Sequence, residues 1–536
     1  MRRNVVRSVL GRAAMVGALM LGGAQASLAQ TNAVASGDWS DPLTWNPAEP
    51  VAGTTANING SFTVAVTQAG ETANFLDLGT IAAQTGNLTV ADPGDLSVGT
   101  LLRVGQAAGS TGNLTMTGGS VTVNGAPDSG IGNGELIVGD VGATGTASIS
   151  GGLLSTADEI FIGLGAGSNG TVNVSGGTLQ TGRLIPPTPP LPNGRSIIVG
   201  FDGGTGALNV SGGLVRTNFD LLVGLGVGSN GSVTVSGGTI DTGFVFTNAF
   251  TGGAGSTSTV TQTGGTISAR IAYVLGQGNG STTNNHSGGT IDVLNNGEFV
   301  VGDGAGNSST YNISGTADVN IARNLVAGRD GVGVINMTGG TIDAANVFLG
   351  DFDSSSGTLN ISGGVLTLSG NLNVGGALAS NAATNPPGFA LDANGTLIVS
   401  GTGGAIDVGG NLLANPLDNP RVGGGGERNS AMLVFEVTSG GVSIVDAAGI
   451  ADLTGAEIDV DLLSAFPLGS TFDLITATDI STDYLQVAED LGRISLAIVG
   501  GGNGEILRAT VVPEPVTLAL AACGILTLIV RSRRKG

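Results

Sequence analysis

The chain has 536 residues, of which 97 are glycine, 4% are aromatic and 11% are charged, and its formal net charge is −21. The low share of charged residues excludes a charge-rich disordered chain, and the acidic balance excludes a surface that attracts nucleic acid or anionic lipid. A single cysteine, Cys523, and a single histidine, His286, exclude a disulfide framework, a thiolate metal site and a multi-histidine zinc site. They leave almost nothing from which to build a Ser-His-Asp triad.

The first 29 residues have the layout of a secretory signal peptide. A basic start is followed by the apolar stretch 13–21 and then by small residues. We predict cleavage between Ala29 and Gln30, with cleavage after Ala26 as the alternative. An uncleaved anchor helix also remains open.

Residues 30–100 contain the only two tryptophans, Trp39 and Trp45, in the stretch GDWSDPLTW. They precede a long repeat that begins at Leu101. Because the open end of a repetitive sheet is an exposed strand edge, we predict that 30–100 form an N-terminal β-cap filled by both tryptophans. Stacking of the tryptophans on a sugar is the alternative.

Residues 101–429 repeat one unit about eleven times, mostly at intervals of roughly 24–27 residues, as in EIFIGLGAGSNGTVNVSGGTLQTG. Each copy has a short apolar run ending in glycine, an alternating segment, a Ser-Gly-Gly corner and a third short segment. Alternation bounded by glycine predicts strands. Three strands per copy suit one coil of a parallel β-helix, in which stacked coils bury a continuous core. We predict an all-β fold, a parallel β-helix or β-solenoid of about eleven coils, with stacked antiparallel hairpins or a propeller as alternatives.

The alternation also predicts which side chains point inward. The inward column comprises Val172, Val174, Leu179, Val233, Val235, Ile240, Ile361 and Val365. His286 and Asn284 occupy inward positions of one copy, where we expect a hydrogen-bonded polar layer. Outward Thr and Asn columns are of the type that binds ice or sugars on a flat face, but in the sequence their alternation looks irregular.

Two insertions interrupt the repeat, the Pro-rich segment 183–195 and the segment 381–392. Proline cannot continue a central strand, so both must leave the sheet. Loops that leave a regular scaffold are common binding sites, and a tolerated surface insertion is the simpler alternative.

The repeat fades after residue 429, and we predict a closing C-terminal β-region over 430–511. Longer apolar strands appear there and the Ser-Gly-Gly corner becomes rare. The stretch GSTFDLITATDIST resembles the C-terminal β-region of autotransporter-like passengers.

The last segment, 512–536, combines a Pro-Glu-Pro triplet with an apolar run and a basic end. The run 516–530 has no charged residue; at ~1.5 Å per residue it spans roughly 22 Å, somewhat less than the ~30 Å of a hydrocarbon core. A basic cluster directly after it is a stop-transfer and positive-inside signal. We therefore predict a transmembrane helix over 516–530, with a terminal strand or core helix as the alternative. The basic residues are Arg531, Arg533, Arg534 and Lys535.

These three parts in this order resemble a PEP-CTERM sorting domain, the tail of exported bacterial proteins that are handled by an exosortase. The triplet is Pro513, Glu514 and Pro515. The resemblance implies a tail held in the inner membrane and cut near the triplet, after which the protein moves to the cell surface or extracellular matrix. It implies an exosortase-type enzyme and the secretion machinery as partners, with exopolysaccharide as a further one and no nucleic acid.

Acidic residues follow the first strand of several copies, where carboxylates and turn carbonyls are the hard oxygen ligands that Ca²⁺ prefers. Leu164 and Leu225 interrupt this column in other copies. Ordinary aspartate turn chemistry is the simpler explanation, and a catalytic carboxylate pair is a third. The column comprises Asp140, Asp202, Asp303, Asp330 and Asp351, with Asp353 nearby; we take Asp303, Asp351 and Asp353 as the calcium candidates, and we expect no other cofactor.

The repeat, the two processed ends and the scarcity of catalytic side chains predict an exported, non-enzymatic structural protein of the surface or matrix. A polysaccharide-binding protein or adhesin is the alternative, motivated by the loop 183–195 and by the two tryptophans. A β-helix polysaccharide lyase or hydrolase is the third hypothesis.

Overall fold

The computed structural model describes residues 29–125, 132–182, 195–250, 255–278, 280–351, 355–375, 393–414, 430–481, 485–486, 493–501 and 504–513. These residues form 40 β-strands and no helix. Within these ranges no helix has the length and hydropathy needed to cross a bilayer. The predicted signal peptide up to residue 28 and the predicted membrane helix 516–530 lie outside them.

The chain divides into two compact units. The first comprises the described residues up to Asn312 together with Ala317–Ala322, and the second comprises Ile313–Thr316 and the described residues from Arg323 onward.

The strands that begin in the first unit are β1 (Gln30–Ala33), β2 (Gly37–Asp38), β3 (Trp45–Asn46), β4 (Thr55–Ile58), β5 (Thr63–Val66), β6 (Glu71–Leu78), β7 (Thr85–Val90), β8 (Asp95–Val104), β9 (Thr111–Val123), β10 (Glu135–Val138), β11 (Thr144–Thr156), β12 (Ile160–Leu164), β13 (Asn169–Val174), β14 (Thr178–Thr181), β15 (Ile197–Phe201), β16 (Thr205–Thr217), β17 (Leu221–Leu225), β18 (Asn230–Thr242), β19 (Val245–Phe250), β20 (Thr257–Gln262), β21 (Thr266–Ala269), β22 (Ala272–Gln277), β23 (Ser281–Val293), β24 (Glu298–Val301) and β25 (Ser308–Ala327).

The strands that begin in the second unit are β26 (Val332–Leu349), β27 (Ser356–Leu368), β28 (Leu372–Val374), β29 (Asn394–Ser400), β30 (Gly404–Val408), β31 (Leu412–Leu413), β32 (Ser430–Val437), β33 (Val445–Ala447), β34 (Ile450–Asp452), β35 (Glu457–Leu462), β36 (Thr471–Ala477), β37 (Asp479–Ile480), β38 (Leu485–Gln486), β39 (Ile494–Gly501) and β40 (Gly504–Val511).

Most of the described strands pair in parallel with a counterpart one coil further along the chain. In the first unit β11 pairs with β13, β13 with β16, and β16 with β18, each in register. In the second unit β27 pairs with β29, and β29 with β32. This confirms a parallel β-solenoid and rules out the propeller and the hairpin stack.

The predicted count of eleven coils is wrong, because the described strands form about 15 turns. Parallel coils are already present within 30–100, where β4 pairs with β6 and β6 with β8. They continue beyond residue 429, where β32 pairs with β35. A coil requires alternating inward apolar residues rather than the Ser-Gly-Gly phrase, so coils without that phrase were missed.

The predicted inward column is buried at every position but one. Val172, for example, has no exposed surface, and Ile361 has almost none. Val365 is the exception, with 37% of its surface exposed, and its neighbour Leu366 points inward instead. Val365 follows the Gly-Gly corner directly and so corresponds to Thr178 rather than to the inward Leu179 of an earlier coil. That one-residue offset moves a side chain to the opposite face.

The Ser-Gly-Gly corner needs glycine for two separate reasons. Gly177 has φ of +64°, which side chains disfavour. A Cβ on Gly176 would lie 2.3 Å from the backbone oxygen of Ser150 in the preceding coil. The corner therefore lets adjacent coils approach at backbone distance.

In several coils of the first unit the first strand is buried on both sides. Ile160 and Ile162 face the solenoid interior, and Phe161 between them joins a second apolar cluster on the other side of the strand. This explains why these strands have continuous apolar runs while the others alternate. The cluster comprises Phe75, Leu101, Ile137, Phe161, Leu164, Ile198, Phe201, Leu222 and Leu225.

The two tryptophans that were predicted to fill an N-terminal cap are buried against each other. Trp39 is fully buried and Trp45 nearly so, and their rings meet edge to face at 5.0 Å. The indole Nε1 of Trp45 donates to the backbone oxygen of Trp39 at 2.8 Å. β3, which carries Trp45, pairs antiparallel with β1 and so covers the first strand of the unit.

At the other end of the chain, β36, β40 and β39 form an antiparallel sheet in the second unit.

Candidate functional site

The residues of the predicted tail lie almost entirely outside the described structure. Pro513 is the last described residue, and Gln30, after the predicted cleavage point, is the first residue of β1. The sorting prediction therefore stays a prediction. The tail residues outside the described ranges are Glu514, Pro515, Arg531, Arg533, Arg534 and Lys535.

The calcium candidates fall in different surroundings. Asp303 lies in the first unit and is half-buried. Asp351 lies in the second unit and is buried, and the guanidinium Nε of Arg329 donates to its Oδ2 at 3.4 Å. Asp353 lies outside the described residues. The ion pair compensates the charge of Asp351 from within the protein, and the calcium site stays a prediction.

Two other members of the same column show ordinary turn chemistry. The Oδ1 of Asp140 accepts the backbone N–H of Val141 at 2.8 Å. Asp202 has φ of +44°, a turn conformation that aspartate tolerates.

A different acidic group comes together in the first unit. Carboxylate oxygens of Glu135, Asp158 and Glu159 lie within 4.8 Å of one another. Glu135 has no exposed surface and Asp158 has 2%, while Glu159 is half-buried. The backbone N–H of Gly132 donates to both oxygens of the Glu135 carboxylate at 3.0 Å. Among the described residues, this is the acidic cluster with the spacing of a metal site.

Burial raises the pKa of Glu135 to about 7, and the nearby Asp158 carboxylate adds to that rise, while backbone N–H groups oppose it. Three carboxylates at this separation can share a proton at neutral pH or hold a hard cation. Polymeric substrates have no access to Glu135 because its side chain is enclosed.

Sequence reasoning missed this acidic cluster, although a signal was present. Glu135 and Glu159 each stand immediately before the apolar run of their coil, and Leu136 pairs with Ile160 in register. Stacking therefore brings the two glutamates together. Glu135 also pairs with Leu101 of the second apolar cluster, a cluster that the alternation pattern does not show.

His286 and Asn284 lie inside the first unit, as expected. His286 Nδ1 lies 2.9 Å from the Tyr311 hydroxyl and Nε2 lies 3.0 Å from the Gly289 carbonyl oxygen. A carbonyl only accepts, so Nε2 carries the proton and Nδ1 accepts from Tyr311. Asn284 donates to the Tyr273 hydroxyl at 2.7 Å.

Aromatic rings stack through the same coils, with centroid distances of 4.6 Å from Phe246 to Tyr273, 4.6 Å from Tyr273 to Phe299 and 4.9 Å from Phe299 to Tyr311. All four rings are fully buried.

Burial lowers the pKa of His286 and so favours the neutral ring, while the Gly289 carbonyl and the Asp318 charge partly oppose that shift. The histidine is a packed interior group rather than an accessible general base.

One outward sheet surface of the first unit is uniform over eight coils. The described strands place the segments 85–89, 111–115, 144–148, 169–173, 205–209, 230–234, 257–261 and 281–285 side by side in register. The first, third and fifth residues of each segment point outward, and we call this surface the Thr/Asn face. Every one of these residues is Thr, Ser or Asn except Ala207, and all are half-buried or exposed.

The Thr/Asn face has neither a charged nor an aromatic side chain. Asparagine amides join two pairs of neighbouring coils: Asn113 donates to Asn87 and Asn209 to Asn173, both at 2.9 Å. The Thr257 hydroxyl donates to the side-chain oxygen of Asn230 at 3.2 Å. The alternation that looks irregular in the sequence is therefore regular in space, because loops of unequal length between coils hide the register.

No protein-family model, curated protein or solved structure matches this chain. The comparisons therefore supply no relative from which an activity could be carried over.

Proposed function

We propose that the protein is an exported, non-catalytic structural protein of the bacterial surface or extracellular matrix, displayed through its C-terminal tail. The observation that carries this proposal is the tail itself. The Pro-Glu-Pro triplet, the uncharged run 516–530 and the basic end occur in that order. They follow a chain that folds as a β-solenoid and begins with the layout of a signal peptide.

The solenoid supports a structural role. Each coil contacts only its neighbours, so the core continues for as long as coils are added, and the outward side chains form regular columns. Such a scaffold presents repeated surfaces, which suits a structural role.

Two residues with catalytic potential support the same proposal. His286, the only histidine, is held in the interior by Tyr311 and Gly289. Glu135 is fully buried. A hydrolase or lyase needs carboxylates or bases that reach its polymer, and neither group does.

One of the two observations that suggested polysaccharide binding, the pair of tryptophans, does not support it in the structure. Trp39 and Trp45 fill the cap with at most 3% exposure, so neither ring is available for stacking on a sugar. The loop 183–195, which lies outside the described residues apart from Arg195, is the motivation that remains.

Fractionation of the native host, followed by intact-mass measurement of the protein, tests the proposal. We expect a protein without residues 1–29, cut near 513–515, in the surface or extracellular fraction. A mass that retains 516–536, found in the inner-membrane fraction, would leave a membrane-tethered periplasmic protein and end the matrix proposal.

A further inference from the structure

The Thr/Asn face forms a two-dimensional lattice. Neighbouring strands of a sheet lie ~4.8 Å apart, and outward residues along one strand repeat every ~6.6 Å. None of the pairings that build the Thr/Asn face shifts register within the segments concerned. Hydrogen bonds between asparagine amides hold side chains in line across two pairs of neighbouring coils.

The fold alone does not require this composition. The third strands of the same coils carry charges on their own outward side, including Arg216, Asp241 and Asp292. In the second unit, the positions that correspond to the Thr/Asn face include Val332, which is 40% exposed, and Val334. Charged and large apolar residues are thus tolerated elsewhere on the surface, and the Thr/Asn face excludes both.

The charge of the face restricts the partner. The chain carries a formal net charge of −21, yet no acid lies on the Thr/Asn face. A polyanion would be repelled by the chain as a whole and would find no cation on this face to bind. The composition suits a neutral partner that both donates and accepts hydrogen bonds.

The side-chain chemistry of the Thr/Asn face restricts the choice of partner further. A hydrogen bond that replaces one with water contributes little by itself, so a surface of hydroxyls and amides binds well only where many contacts form at once between two rigid arrays. The Thr/Asn face has no aromatic ring to stack on the apolar side of a sugar. A lattice partner without apolar sugar faces therefore fits it better than a polysaccharide.

We propose that the Thr/Asn face binds ice. The oxygen atoms on a prism face of hexagonal ice form an uncharged lattice with two repeats close to the spacings between and along these strands. Threonine hydroxyls and asparagine amides join that lattice as donors and acceptors, and threonine methyl groups fill the spaces between its oxygens. The proposal is independent of the tail and of where the protein is delivered.

The test measures inhibition of ice recrystallisation and uptake of the full-length protein into slowly growing ice. The variant places Thr171→Lys and Ser232→Lys in the middle column of the face. The matched control places Gln180→Lys and Ser268→Lys on the outward side of third strands in the same unit, which changes the net charge equally. Thermal unfolding of all three proteins establishes that each is folded.

We expect the wild type and the control to inhibit recrystallisation, and the face variant to need about tenfold more protein or to lose the effect, because lattice binding depends on simultaneous contacts. Wild-type protein no more active than serum albumin would overturn the proposal. So would equal activity in the face variant. Binding to crystalline cellulose or chitin that the face variant loses, without ice activity, would assign the face to a polysaccharide instead, and self-association that the face variant loses would assign it to a second copy.

Discussion

The two units share their inward columns and differ in their outward ones. In the first unit Leu208 and Val233 are buried next to the outward Asn209 and Ser232, and in the second unit Leu359 is buried next to the outward Thr358. The outward columns then diverge, because the second unit places Met432 and Glu457 opposite each other, whereas the eight coils of the Thr/Asn face have only Thr, Ser, Asn and one Ala at such positions. The fold constrains the interior and leaves the exterior free, so a uniform exterior calls for its own explanation.

The largest expected change in the free energy of unfolding tests the inward columns, which the two units share. We predict that Leu208→Ala in the first unit and Leu359→Ala in the second each lower the free energy of unfolding by about 2–5 kcal/mol. Both side chains are fully buried between adjacent coils, so truncation leaves a cavity in either case. Urea unfolding, monitored by circular dichroism, measures the loss. A loss below about 1 kcal/mol in one unit would show that its interior repacks and that the two are not alike.

The interior was the part that the sequence predicted best, because it follows from alternation. Val172 and Val233 were assigned inward from period 2 alone, and both are buried. The prediction that Val365 points inward was wrong because the Gly-Gly corner shifts the inward–outward alternation by one residue. The predicted number of coils was too low because coils within 30–100 keep the alternation but lack the Ser-Gly-Gly motif.

The sites were harder to predict because they depend on which coils lie next to each other. Glu135 and Glu159 are 24 residues apart in the chain, and only in-register stacking of β10 on β12 makes them neighbours. The Thr/Asn face depends on the same stacking. Loops of different length between coils conceal the register in the sequence, so the acidic cluster was missed and the Thr and Asn columns looked irregular.

The next largest effect concerns Glu135, a buried carboxyl group of the first unit. The folded pKa of Glu135 is about 7, above its ordinary value of 4.5. Between these two values the folded protein binds more protons than the unfolded chain, so stability falls as pH rises from about 4.5 to about 7. We predict that Glu135→Gln removes this decline and raises the free energy of unfolding at pH 8 by about 1–3 kcal/mol.

The control for this prediction is Glu457→Gln, the same chemical change at an exposed position of the second unit. Urea unfolding between pH 4 and pH 8 compares the two variants with the wild type. An unchanged pH profile in the Glu135 variant would mean that the carboxylate is ionised and compensated in the folded protein, as a bound cation would make it.

His286 should produce the opposite pH dependence. Its folded pKa is lowered by burial, so the unfolded chain binds the proton more readily, and stability is lost as pH falls below about 6.5. We predict that His286→Val, which introduces the residue found at the same inward position in other coils, such as Val235, reduces this acid sensitivity. It also costs about 1 kcal/mol at pH 7.5, because Tyr311 loses its acceptor. Melting temperatures at pH 5 and pH 7.5 measure both effects, and a variant as acid-sensitive as the wild type would contradict the assignment.

The smallest expected change in the free energy of unfolding tests the outward columns, in which the two units differ. Thr171 and Val334 occupy corresponding outward positions, and both are half-buried. We predict that Thr171→Val in the first unit and Val334→Thr in the second each change the free energy of unfolding by no more than about 0.5 kcal/mol, as is usual for surface positions. Such tolerance means that stability does not maintain the Thr/Asn face and that its uniformity has to come from what it contacts. A loss above about 1 kcal/mol for Thr171→Val alone would instead make the face part of the packing of the first unit, and the ice-binding proposal would lose its main support.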